Sequence, residues 1–243
     1  MRKKRRKSNW RPGQILWPLL IVNVALGLNY SKVTSIVHAR AAGVPPQDQE
    51  RVQGILESMA NIPCAKVDAR KLESEVMSNE EVDSVELSRH IFGSSWLKVR
   101  YRNPVATLKG RDGVVLSDDG VFYHASIIPS GLPVLDMPAS GPPTLVTYAG
   151  TWQPGSIAML AGYARQKYAG KDIRIEINPR GVVCLNIGSG RVILGSCDDL
   201  DKKLKTLDSR LQKNPQELDG ENMLVLTLPS NPTIVPKAVE KKP

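Results

Sequence analysis

Three histidines and three cysteines are the side chains through which this 243-residue chain could bind a metal or supply a strong nucleophile. His38, His90 and His124 stand far apart, and none belongs to a HExxH-like spacing that would set two imidazoles on one helical turn, so a metal site has no support. Asp118-Asp119-Gly120 has the composition of a turn rather than of a working carboxylate pair. Gly188-Ser189-Gly190 lies between two strand-like runs, which makes it a hairpin turn and not a phosphate loop or a nucleophile elbow. Cys64, Cys184 and Cys197 are an odd number, so at least one has no partner within the chain. A hairpin turning at Ser189 sets Cys184 opposite Leu194, not Cys197, and no disulfide is expected between these two. No catalytic residue, cofactor or metal is assigned, and an enzyme is not expected, although a site assembled from distant residues is a route that one sequence leaves open.

The elements that position these residues fall into two patterns. Residues 33–43 read as a strand, and Pro45-Pro46 opens a helix in which Val52, Ile55, Leu56 and Met59 share one apolar face. Asp68 can cap a second, short helix carrying Leu72 and Val76. Residues 82–91 and 96–101 are strand-like around Gly93-Ser94-Ser95, which gives the order β-α-α-β-β. From Pro104 the pattern becomes short strands at 105–108, 114–116 and 121–123, divided by Arg111-Asp112-Gly113 and Asp118-Asp119-Gly120. Residues 129–143 are rich in Pro and Gly and read as a loop. A helix near 156–168 precedes strands at 173–177, 182–187 and 192–194, then a leucine stripe at Leu200, Leu204, Leu207 and Leu211, and a last strand at 223–228. The class is α+β, divided near Asn103.

Composition narrows the function. With 41% hydrophobic and 23% charged residues the chain is globular. Seven of its nine net positive charges come from residues 1–14, so the basicity is a terminal tail and not a surface field, and the 5% aromatic content offers no stacking platform for bases. Nucleic acid is therefore not an expected partner. Behind the cationic run 2–7 and Arg11 comes the apolar stretch 15–28, about 21 Å as a helix against a bilayer core of about 30 Å. Counting from Trp10 to Tyr30, with Trp10, Trp17 and Tyr30 as interfacial anchors, brings it to about 31 Å. The expectation is a single-pass transmembrane anchor at 15–31, a cytoplasmic tail at 1–14 and an exported remainder. A cleaved signal peptide ending at Ala39-Arg40-Ala41 is the alternative.

The passage Trp96-Leu97-Lys98-Val99-Arg100-Tyr101-Arg102-Asn103-Pro104-Val105-Ala106 resembles the junction between the POTRA module and the β domain in the FtsQ/DivIB family of bacterial cell-division proteins. Asp119-Gly120-Val121-Phe122, Leu132-Pro133-Val134-Leu135 and Gly190-Arg191-Val192-Ile193-Leu194-Gly195 resemble its later landmarks, in order, over residues 1 to about 236. Two features depart from that pattern. The family's charged last strand is here Leu224-Val225-Leu226-Thr227-Leu228, and its Trp-Pro hairpin is Phe92-Gly93-Ser94-Ser95. The resemblance implies a POTRA module at 32–103, a mixed or antiparallel β domain with flanking helices at 104–228, and a C-terminal edge segment and tail at 229–243. It further implies a non-enzymatic divisome scaffold at the cytoplasmic membrane of the septum, binding FtsB/DivIC-like and FtsL-like proteins, with other components reached through the POTRA module. The alternatives are another POTRA-bearing assembly or secretion factor, or a secreted hydrolase.

The residues expected to hold partners lie near the end of the sequence. The run containing Leu224, Leu226 and Leu228 is apolar, and Thr233-Ile234-Val235 follows between Pro232 and Pro236. A terminal strand tends to a sheet edge, where open backbone groups accept an incoming strand and flanking prolines limit the pairing. The other reading is that 224–228 completes the core sheet, with 233–235 as the edge. In the resembling family FtsB/DivIC adds a strand at this end, and Arg180 corresponds to a basic position near that surface.

Overall fold

A computed structural model describes residues 13–30, 34–90, 94–138, 152–218 and 222–235. The chain divides into two compact units, residues 1–101 and 102–243. The class is α+β: the described residues form five α-helices and two mixed sheets, of three and nine strands.

The transmembrane expectation is corrected. Helix α1 (Gly13–Tyr30) has 18 residues with Pro18 inside it, and among the described residues no helix is long and apolar enough to cross a membrane. At 1.5 Å per residue α1 reaches about 27 Å, short of the ~30 Å hydrocarbon core. Gln14, Asn23 and Asn29 further interrupt its apolar run. Trp17 is exposed on it, Tyr30 is its last residue, and Trp10, with the basic tail, lies outside the described residues.

In the first unit, β1 (His38–Ala42), α2 (Gln49–Glu57), α3 (Ala69–Val76), β2 (Val82–Arg89) and β3 (Ser94–Tyr101) follow in the order β-α-α-β-β. The strands lie in the order β1-β3-β2, with β1 parallel and β2 antiparallel to the central β3. Alternation along β3 turns Leu97 and Val99 inward and Trp96, Lys98 and Arg100 outward. The inward residues meet Val52, Ile55 and Leu56 of α2, Met59 just beyond it, and Leu72 and Val76 of α3 in one core. Asp68 caps α3 by accepting the Lys71 N–H at 3.2 Å. Ala39-Arg40-Ala41 lies within β1.

A buried carboxylate ties this unit together. Asp48, next to the start of α2, accepts from Arg51 Nε at 2.6 Å and Nη2 at 2.8 Å, from Asn79 at 3.3 Å, and from the Tyr101 hydroxyl. Arg51 also donates to the carbonyls of Glu75 and Val76 at the end of α3. The Arg51 hydrogen bonds, opposed by burial and aided by Tyr101, hold the Asp48 carboxyl down at about 2, against 3.8 ordinarily. The folded state therefore binds this proton less readily than the unfolded chain. The associated stability, of order 2 kcal/mol, is complete above the unfolded value and is lost as pH falls from about 4 to 2. Denaturant titrations of the first unit across that window should show the loss in the parent and its absence in Asp48→Asn.

The second unit is built on β4 (Pro104–Leu108), β5 (Val114–Ser117), β6 (Phe122–His124), β7 (Val134–Asp136), α4 (Pro154–Lys167), β8 (Ile173–Ile177), β9 (Val183–Ile187), β10 (Gly190–Gly195), α5 (Leu200–Lys213), β11 (Met223–Val225) and β12 (Thr233–Val235). The strands lie in the order β12-β11-β10-β9-β8-β7-β4-β5-β6. Pairing is parallel for β4–β7, β7–β8 and β10–β11 and antiparallel elsewhere. Ile157, Leu160, Ala161 and Ala164 of α4 and Leu200, Leu204 and Leu207 of α5 share one core with the strands' inward residues. Buried Lys203 donates at 2.8 Å to the carbonyls of Leu194 and Ser196, fastening α5 to the end of β10. Part of the expected 129–143 loop is strand: β7 carries the fully buried Leu135 between β4 and β8. Three residues framed by prolines show too little alternation to reveal this.

Candidate partner-binding edge

The ladder between β10 and β11 determines which groups of β12 face outward. Arg191 N–H donates to the Asn222 carbonyl at 3.3 Å, and Leu226 N–H donates to the Ile193 carbonyl at 2.8 Å. Residues 222, 224 and 226 thus turn their backbone groups to β10. By alternation Met223 and Val225 turn theirs to β12. Their partners in register are Val235 and Thr233, while Leu224 faces Ile234. Thr233 and Val235 therefore bond inward to β11, and the N–H and C=O of Ile234 point away from the sheet.

Two residues on either side of Ile234 stand Pro232 and Pro236, neither of which has an N–H. The segment consequently presents one outward donor and one outward acceptor at its centre. The Ile234 side chain lies beside buried Leu224 yet is 45% exposed, so an apolar side chain at the margin of the core accompanies the open backbone.

The remaining expected partner-binding residues are distributed differently. Leu224 and Leu226 are buried and complete the core, whereas Leu228 is exposed in the turn after β11. Arg180 is exposed in the turn joining β8 to β9, where its N–H donates to Asn178 Oδ1 at 2.9 Å. It belongs to the same end of the sheet as Gly195 and Thr227, but β9 is three strands from β12, about 14 Å at ordinary strand spacing. The structure does not bring Arg180 to the β12 edge.

One contact with this edge escapes sequence reasoning. Arg210 of α5 donates through Nη1 to Glu217 Oε1 at 2.6 Å and through Nη2 to the Pro232 carbonyl at 3.5 Å. The pairing crosses the helix end and Asn214-Pro215, so no helical spacing reveals it. The one sequence signal is an acidic residue, Glu217, soon after a leucine-striped helix rich in cations.

The chemistry-bearing residues are set apart from one another. Among the described residues no group of three His, Cys, Asp or Glu side chains is placed to hold a metal ion. His38, His90 and His124 are all exposed. The three cysteines are free thiols, and Cys184 faces Ile193, one position from the expected Leu194, with an irregularity of register between Ile193 and Gly195. Burial pushes the Cys197 thiol up to about 11, away from the thiolate a nucleophile needs. Asp119 accepts from Arg102 and from the Ser117 hydroxyl within the β5–β6 turn. Gly188-Ser189-Gly190 joins β9 to β10. No protein-family model matches the chain, and no curated protein matches it in sequence.

Proposed function

We propose that the chain is a non-enzymatic scaffold of the bacterial division machinery that captures an FtsB/DivIC-like partner by strand addition at β12. The observation carrying this reading is the outward-facing backbone of Ile234 at the end strand of a nine-stranded sheet. Strand addition needs an open edge, and main-chain bonds supply its affinity. The family resemblance supplies the partner's identity. The β-α-α-β-β order of the first unit supports a POTRA module there, and an FtsL-like protein and other division components are the further partners this reading includes. Its place in this reading is the division septum. A fluorescent fusion of the full chain expressed in dividing cells should gather at mid-cell; uniform distribution around the envelope sinks the reading.

A further inference from the structure

Strand β12 has little of its own to hold it. Its three side chains are all exposed, and among the described residues its strand pairing is to β11, through Thr233 and Val235. The body of the unit, by contrast, is tightly fixed beneath it. A Cβ on Gly190 would meet the Leu218 carbonyl at 2.5 Å, so Leu218, the neighbour of Glu217, sits hard against the start of β10. Glu217 is 7% exposed, and a carboxylate so buried needs its Arg210 partner held in place. Asn222, at the entry to β11, donates to the Glu217 carbonyl at 3.5 Å. The second arm of the Arg210 fork reaches Pro232, the residue immediately before β12.

We propose that Arg210 is the positioning residue for β12: it transfers the fixed location of Glu217 to Pro232 and so holds the Ile234 backbone where a partner strand can pair. The planar fork is essential, because a single guanidinium makes both bonds at once, whereas a lysine ammonium at the same place satisfies Glu217 without the second arm. As a determinant of binding this rests on the strand-capture reading; as a determinant of β12 order it does not. The test is amide hydrogen exchange on the full chain, compared for the parent, Arg210→Ala and Arg210→Lys. Exchange at Thr233 and Val235 should rise by about 10-fold or more in Arg210→Lys, with β9 amides unchanged, while Arg210→Ala, which also strips buried Glu217 of its partner, raises β12 exchange at least as much. Unchanged exchange at β12 in either variant, or an equal rise across β8, β9 and β12 in Arg210→Lys, overturns the assignment. Binding of an FtsB/DivIC-like peptide is then measured on the same variants. Loosened β12 with undiminished binding leaves Arg210 as the positioning residue and removes β12 as the capture edge.

Discussion

Replacing Ile234 by proline should abolish capture of an FtsB/DivIC-like strand while leaving the fold of the second unit intact. The substitution removes the one N–H the segment turns outward, and the Pro232 and Pro236 flanks offer no substitute. Because Thr233 and Val235 make the bonds to β11, proline at 234 leaves that pairing in place, as edge strands allow. Losing that outward N–H, with the proline ring in its place, should weaken binding by at least about 2 kcal/mol, roughly 30-fold. Ile234→Val keeps the backbone and most of the apolar side chain and should bind as the parent does. Thr233→Pro is the informative contrast, since it removes an inward donor and should release β12 from β11. Pull-down with circular dichroism on all three variants checks this, and full binding by folded Ile234→Pro would move the search for the partner to the first unit.

Leu56→Ala should lower the stability of the first unit by about 2–5 kcal/mol. Leu56 is 1% exposed and belongs to a core that includes Ile36, Val52, Met59, Leu97 and Val99. Truncation there leaves a cavity between α2 and the sheet, and a core of this size has few other large side chains to fill it. Residues 1–101 and 102–243 are separate compact units, so the loss should be confined to the first. Urea titration followed by amide exchange in β3 and in β9 reads the two separately. A shift in β9 equal to that in β3 would show that the units unfold together.

Short-range periodicity made the helices of the first unit readable. Val52, Ile55, Leu56, Met59, Leu72 and Val76 are all buried, because spacing along a helix determines a face without reference to the rest of the chain. Parallel pairing is set by distant residues, so neither the meeting of β10 with β11 across α5 nor the insertion of β7 between β4 and β8 could be read from local sequence. The hairpin register of β9 and β10 was legible to within one residue. At the edge, the flanking prolines announced a segment that resists extension. Which residue faces outward depends on bonds between β10 and β11, and was therefore hidden. The separation of Arg180 from β12 was hidden for a related reason, since distance across a sheet follows strand order rather than sequence order. The α1 expectation needs a residue count running back to Trp10, which lies outside the described residues, and the 18 residues Gly13–Tyr30 alone fall short of a bilayer core.

The parallel meeting of β10 and β11 also determines when the β12 edge can exist during biosynthesis. Synthesis proceeds from the N-terminus, and β11 cannot join β10 until the crossover through α5 has emerged and packed. Until then the edge of the growing sheet is β10 itself, whose six residues include Val192, Ile193 and Leu194. An apolar strand of that length with open backbone groups is a template for indiscriminate pairing. Adding β11 and β12 exchanges it for a three-residue edge with one outward donor between prolines. Chains interrupted within α5 should therefore aggregate through β10, and a partner that pairs at Ile234 engages only sheets whose assembly is complete.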